Sequence, residues 1–253
     1  MAALVDHPFV MFLVSFAGLV LAALSGVVAQ RVWSPIKSGD QNEFNIVQSA
    51  ALTLLGLIVG FSFSMAVSRY DQRKNLEEAE ANAIGTEYVR ADLMPESGAA
   101  ATRGLLKRYL NQRIQFYVTE DQGKLDAIGV ETARIATELW ASARSAAAAD
   151  RTAVAALVAS GMNDVLNSAD YTEAAWLNRI PMPAWWLMVV IGVACNVTLG
   201  FGSRRFKSFL LLVVPATVSV AFFLIADMDS PRGGLVLVPP QNLSRLATGL
   251  NGR

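Results

Sequence analysis

The densest chemistry in this sequence stands near its end. Asp227 and Asp229 lie at i and i+2, ahead of Ser230-Pro231-Arg232-Gly233-Gly234. Two carboxylates beside a proline and a glycine pair are candidate oxygen ligands for a hard cation, helped by backbone carbonyls. The same pattern also suits a helix that stops with a solvated end. A second acidic set, Glu77, Glu78, Glu80 and Glu87 with Asn82, reads as a solvated helix face paired with Arg and Lys, or as packing between subunits. Nucleophilic catalysis has little to work with, because His7 is the single histidine and Cys195 the single cysteine. No nucleotide-binding glycine loop and no histidine cluster for a metal occurs. An enzyme is not expected, and neither is a cofactor.

A further set of residues offers spacing rather than reactivity. At 100° per residue, Ser49, Thr53, Gly56, Gly60 and Ser64 fall within an arc of about 80°. Such a stripe lets two helix backbones approach and hydroxyls bond across the contact. Alternatively it lines a water-filled path in an oligomer, with Leu57 and Phe61 as a constriction that gates by dewetting. Arg69 and Arg73 follow, as candidates for a ring at the mouth of that path. They also suit an interfacial belt, with Tyr70 at the lipid headgroups. Ser15, Gly18, Ala22 and Ser25 repeat the small-residue device in the first apolar stretch, where close packing is the expected use. The Asn196 amide, at lipid depth, is expected to bond another helix.

Membrane helices must position these residues. Of the 253 residues 53% are apolar and 17% charged, more apolar than a soluble domain usually is. The 21 basic and 21 acidic residues cancel, which argues against a nucleic-acid binder and against disorder. A lone cysteine excludes an internal disulfide framework. Four stretches approach the roughly 20 residues a span needs: 8–28, 46–68, 184–201 and 209–226. None carries an interior charge, so none offers an ionisable relay. The segment before the first has no Lys or Arg, so a retained span is expected rather than a cleaved signal peptide.

Residues 69–180 read as helical almost throughout. The second span continues without a strong break to about Leu93, and Pro95, Ser97 and Gly98 make a turn. Leu106, Leu110, Ile114 and Tyr117 mark the inner face of a helix over 99–119. Leu125, Ile128, Ile135 and Leu139 mark another over 124–147. Asp150 is the expected N-cap of a helix reaching Leu177, with Val154, Leu157, Val158, Met162 and Val165 inward. Pro181 and Pro183 mark the return to the membrane. The tail is rich in Pro and Gly, and its Leu-Val-Leu-Val run is the one strand-like piece. The expected fold is an all-α membrane protein with four transmembrane helices, two plus two, flanking a helical extramembrane domain. Its divisions are 1–68 (helices 1 and 2), 69–180 (helical domain), 181–226 (helices 3 and 4) and 227–253 (C-terminal tail). Near the membrane the cations balance: Arg31, Lys37, Arg204, Arg205 and Lys207 on the short-loop side oppose Arg69, Arg73, Lys74, Arg179 and Arg232. Charge alone therefore leaves the orientation open, and the rule's emphasis on short loops and the first helix leans toward the short loops inside.

Two segments carry a family likeness. One is Leu-Leu-Gly-Leu-Ile-Val-Gly-Phe-Ser-Phe-Ser-Met-Ala-Val-Ser-Arg-Tyr (54–70), continued by Glu-Ala-Asn-Ala-Ile-Gly-Thr (80–86) and Arg-Ala-Asp-Leu-Met-Pro (90–95). The other is Asp-Met-Asp-Ser-Pro-Arg-Gly-Gly-Leu-Val (227–236). The chain resembles the bacterial bestrophin-like domain family, and more distantly the bestrophins, which are oligomeric ion channels. Gly60-Phe61 and Arg69-Tyr70 match the bestrophin pore-helix spacing, and Asp229, Ser230 and Pro231 are similar to the element after the last span. The resemblance implies a neck at Leu57 and Phe61, with Thr53 as its third position. It implies a homo-oligomer, a pentamer among the candidate rings, in the bacterial inner (plasma) membrane. The helical domain and both termini would be cytoplasmic, and small inorganic ions and lipid the partners. The chain is shorter than those channels, has a single aromatic after the arginine and lacks an extended acidic cluster. Without that cluster the resemblance does not carry over calcium gating, and because bestrophin relatives include both anion- and cation-conducting members it carries over no ion sign. A non-conducting anchor whose helical domain docks a partner is the competing expectation.

Overall fold

The computed structural model describes residues 5–33, 41–149, 152–203 and 209–252. Lys37, Arg204, Arg205 and Lys207, counted above for orientation, and the expected cap Asp150 lie outside the described residues. In chain order the helices are α1 (Pro8–Trp33), α2 (Gln41–Arg90), α3 (Glu96–Val118), α4 (Gln122–Ala149), α5 (Ala153–Leu177), α6 (Met182–Gly202), α7 (Leu210–Asp229) and α8 (Gln241–Asn251). A 3-10 turn, Ala91–Leu93, follows α2. No strand occurs among the described residues. The Leu-Val-Leu-Val run forms no strand, and the tail beyond it folds as α8, whose Leu243 and Leu250 are buried.

Among the described residues, four helical stretches each contain a window long and apolar enough to cross a membrane: Pro8–Val32, Gln41–Leu93, Ala153–Gly202 (which joins α5 and α6) and Leu211–Asp229. The chain divides into two compact units. The first comprises Met1–Tyr70 and Arg179–Leu237, the second Asp71–Asn178 and Val238–Arg253. The segment from Val238 onward clusters with the helical unit.

In the first unit α1, α6, α7 and the first part of α2 carry apolar residues on nearly every side, the pattern of helices whose solvent is lipid. Their shared core holds Leu19, Leu55, Ala66, Trp185, Met188, Val218 and Phe222. Trp185 meets Phe222 edge-on, ring centroids 6.3 Å apart. Pro181 and Pro183 open α6, where a missing N–H is harmless. Pro215 sits inside α7.

In the second unit the 3.6-residue pattern sorts each helix into faces. Leu106, Leu110, Tyr117, Ile135, Leu139, Val158, Met162 and Val165 are buried as expected, while Ile114, Leu125 and Ile128 are half-buried. Val154 and Leu157 depart from expectation at 47% and 43% exposed. They lie in the first turns of α5, ahead of the packed stripe that begins at Val158. Thr152 caps that helix, its hydroxyl accepting from Ala155 N at 3.3 Å.

Candidate pore helix and its supports

α2 is a single helix of 50 residues, about 75 Å long at 1.5 Å per residue. Within the first unit Leu55 (3% exposed), Ser62 and Ala66 point into the core, with Leu52, Ile58 and Val59 packed beside them. Taking Leu55 as the origin of a helical wheel, the small-residue stripe lies between about 100° and 180° away. It therefore faces away from the core of its own chain. Ser49, Thr53, Gly56, Gly60 and Ser64 are all exposed, and a Cβ at Gly56 or Gly60 would meet nothing within 4 Å. Thr53 donates its hydroxyl to Ser49 O, 2.9 Å away in the preceding turn. Leu57 and Phe61 are 53% and 65% exposed. Among the described residues, nothing packs against the stripe at Gly56 and Gly60.

The packing glycines are elsewhere. A Cβ on Gly26 of α1 would collide with Val197 O and lie 2.8 Å from Phe201 N of α6. One on Gly200 of α6 would collide with Ala23 O and lie 3.0 Å from Val27 N. The stripe expected on α1 is corrected accordingly. Gly18 is open and Ser25 exposed, while Leu19, Ala22, Ala23, Gly26 and Val27 form the buried face. Ser15 and Ser25 bond carbonyls of their own helix. Asn196 does the same, donating Nδ2 to Gly192 O at 2.8 Å rather than reaching another helix.

Of the two mouth candidates, Arg69 is half-buried, with Nη2 3.7 Å from Met65 Sδ. Arg73 is 1% exposed and does not present its charge to solvent. The reason is helical phase: Arg73 opens the stripe of Glu77, Glu80, Ile84 and Glu87 that α2 buries within the second unit.

Asp227 and Asp229 are also reassigned. Both are buried, at 2% and 1% exposed. Asp227 accepts from Leu235 N at 2.5 Å and Val236 N at 3.1 Å, closing the loop after α7. That loop needs Gly234 at φ 105°, in the left-handed region that favours glycine, and a Cβ there would strike the Asp227 carboxylate. Asp229 accepts from Ile180 N at 2.9 Å, ahead of α6. The carboxylates bind main-chain amides of two different segments. Among the described residues no cluster of three or more His, Cys, Asp or Glu could hold a metal.

The glutamates of α2 are not a solvated face. Glu77, Glu80 and Glu87 are 0–1% exposed, and only Glu78 of the four is outside. Glu77 accepts from Asn242 N (2.8 Å), Asn242 Nδ2 (2.7 Å) and Leu243 N (2.9 Å), and so holds the start of α8. A carboxylate there also suits the positive end of the helix dipole. At the other end of α8 Lys107 donates to Leu250 O at 2.6 Å. Glu80 pairs with Arg113 and accepts from Tyr117 Oη (3.3 Å) and Thr172 Oγ1 (3.2 Å), while Arg113 also reaches Glu173 at 2.7 Å. Burial works against the Arg113 charge, but Glu80 and its neighbours outweigh it and hold the guanidinium more firmly protonated than usual. The α8 anchor was missed from sequence, although Leu243, Leu246 and Leu250 recur at helical spacing.

The comparisons agree with this geometry in fold. The model of the bestrophin-like domain matches residues 16–243. A bacterial bestrophin homolog from Klebsiella pneumoniae, in a form with one mutation, has a TM-score of 0.65 at 13% identity, covering 96% of this chain and 97% of that chain. Another structure of a bacterial bestrophin homolog from the same organism, solved by Zn-SAD phasing, has a TM-score of 0.65 at 14% identity, covering 96% of each chain. No curated protein matches the sequence significantly.

Proposed function

This chain belongs to the bestrophin-like domain family, and on that footing we propose that it is an oligomeric channel for small inorganic ions. The observation that carries the reading is the outward face of α2. A row of small and hydroxyl residues, flanked by Leu57 and Phe61, is exposed on the protomer and turned away from its core. Several copies arranged about an axis would turn these faces toward one another. Ser49, Gly56, Gly60 and Ser64 would line the path, and Thr53, Leu57 and Phe61 would form its neck. Apolar rings of this kind gate by dewetting. In this reading Arg69 alone remains a mouth residue, the membrane is the bacterial inner membrane, and residues 69–180 with both termini face the cytoplasm.

The test is ion flux through purified protein in liposomes, exchanging chloride, potassium and sodium in turn. A flux with a clear ion preference, altered by Leu57→Ala and Phe61→Ala, supports the reading. Silence of both the wild type and the double variant, from folded oligomers, would favour the non-conducting anchor.

A further inference from the structure

Glu87 lies on the part of α2 that belongs to the helical unit. Its carboxylate is 0% exposed, and neither oxygen has a hydrogen-bond partner among the described residues. It points at Gly161 of α5, where an added Cβ would collide with Glu87 Oε2 and with Arg90 Nη1. The nearest cation is Arg90, one turn along the same helix, at 3.9 Å and beyond hydrogen-bond distance.

The surrounding charges are few. On α5 the exposed Asp164 opposes a negative charge at Glu87. On the 3-10 turn Asp92 is held by Arg103 of α3 at 2.5 Å. On α8 Arg245 shares with Arg90 the lining of a groove of about 760 Å³ between α2 and α8. A buried carboxylate in such a place is expensive to ionise, because burial removes hydration and no donor replaces it. Burial, with Asp164 adding to it and Arg90 only partly opposing, pushes the Glu87 carboxyl up to about 7.

We propose that Glu87 is a proton-operated switch of the α2–α5 contact. Neutral, its carboxyl fits the space left by the absent side chain of Gly161. Ionised, it forces α5 away at Gly161 and draws Arg90 off the α2–α8 groove. The step is a proton exchange with solvent and needs no other reactant. It does not depend on ion conduction, so it stands or falls separately from the channel reading.

The experiment is amide hydrogen exchange on the full-length protein in detergent, wild type against Glu87→Gln, at matched pH values on either side of 7. The wild-type amides around Gly161 should exchange roughly tenfold or more faster than those of the variant above pH 7, the difference shrinking as pH falls and vanishing below about pH 4.5. Infrared difference spectra should show a protonated-carboxyl band that disappears as pH rises through 7 in the wild type and is missing in Glu87→Gln. Identical exchange in the two proteins at every pH would overturn the proposal. So would the absence of a wild-type carboxyl band titrating above the ordinary carboxylate range, a measurement that holds even if the variant folds poorly.

Discussion

Gly26 of α1 and Gly200 of α6 make a reciprocal backbone contact. Each lies where a side chain would strike the main chain of the other helix: Val197 O in one direction, Ala23 O in the other. Leu19 meets Gly192 at one level, and residues 23–27 meet 197–201 further on, so the two helices run parallel. Small residues permit this approach, and close packing of this kind drives helix association in lipid.

Gly200→Ala should therefore destabilise the first unit by about 1–3 kcal/mol, as overpacking against atoms that cannot step aside usually does. Gly18→Ala, with nothing within 4 Å of the added methyl, should be close to neutral. Thermal unfolding of the two variants in detergent measures the difference. Equal midpoints would contradict the contact.

The two faces of α2 should respond oppositely to truncation. Leu55→Ala removes a side chain 3% exposed in the core and should lower stability by about 2–5 kcal/mol. Leu57→Ala and Phe61→Ala remove side chains more than half exposed on the protomer. They should leave protomer folding intact while changing flux or gating. Unfolding midpoints, measured beside liposome flux, separate the effects.

Glu77→Ala strips three donors of α8 of their acceptor. The loss should be about 1–3 kcal/mol, concentrated locally. Protease cleavage within 238–252 should become faster while the rest of the unit stays protected. Unchanged cleavage would show that Leu243 and Leu250 hold the helix without Glu77.

The Asp227 and Asp229 carboxylates serve main-chain amides, so chelation of divalent cations should leave the unfolding midpoint unchanged. Asp227→Ala should lower it by releasing the loop at Leu235 and Val236. A midpoint that falls with chelator would restore a cation to this loop.

The pH dependence has a definite sign. The Glu87 carboxyl is raised in the folded state, from 4.5 to about 7. Its stabilising contribution is therefore fully present below about pH 4.5 and is lost as pH rises through about 7. Glu87→Gln should match the wild type at the acid end of that window and exceed its stability above pH 7. Gly161→Ala, whose methyl group would strike the carboxylate, should be destabilising at both ends.

The sequence by itself determined the helical character, the four apolar runs, the unbroken course of α2 and the small-residue stripe. All of these are local: span length, hydropathy and 100° periodicity are properties of neighbouring residues. The family likeness was legible for the same reason, in contiguous motifs. Only the tertiary structure decided what each face meets. Both α1 and α2 carry small residues at helical spacing, yet Gly26 is pressed against α6 while Gly56 and Gly60 meet nothing among the described residues of their own chain. Asp227, Asp229 and Glu77 looked like solvated or metal-binding acids because their amide partners, Leu235 and Val236, Ile180, and Asn242 and Leu243, are supplied by chain folding back. A carboxylate's role depends on what the fold places within about 3 Å of it, and that distance is not written in local sequence.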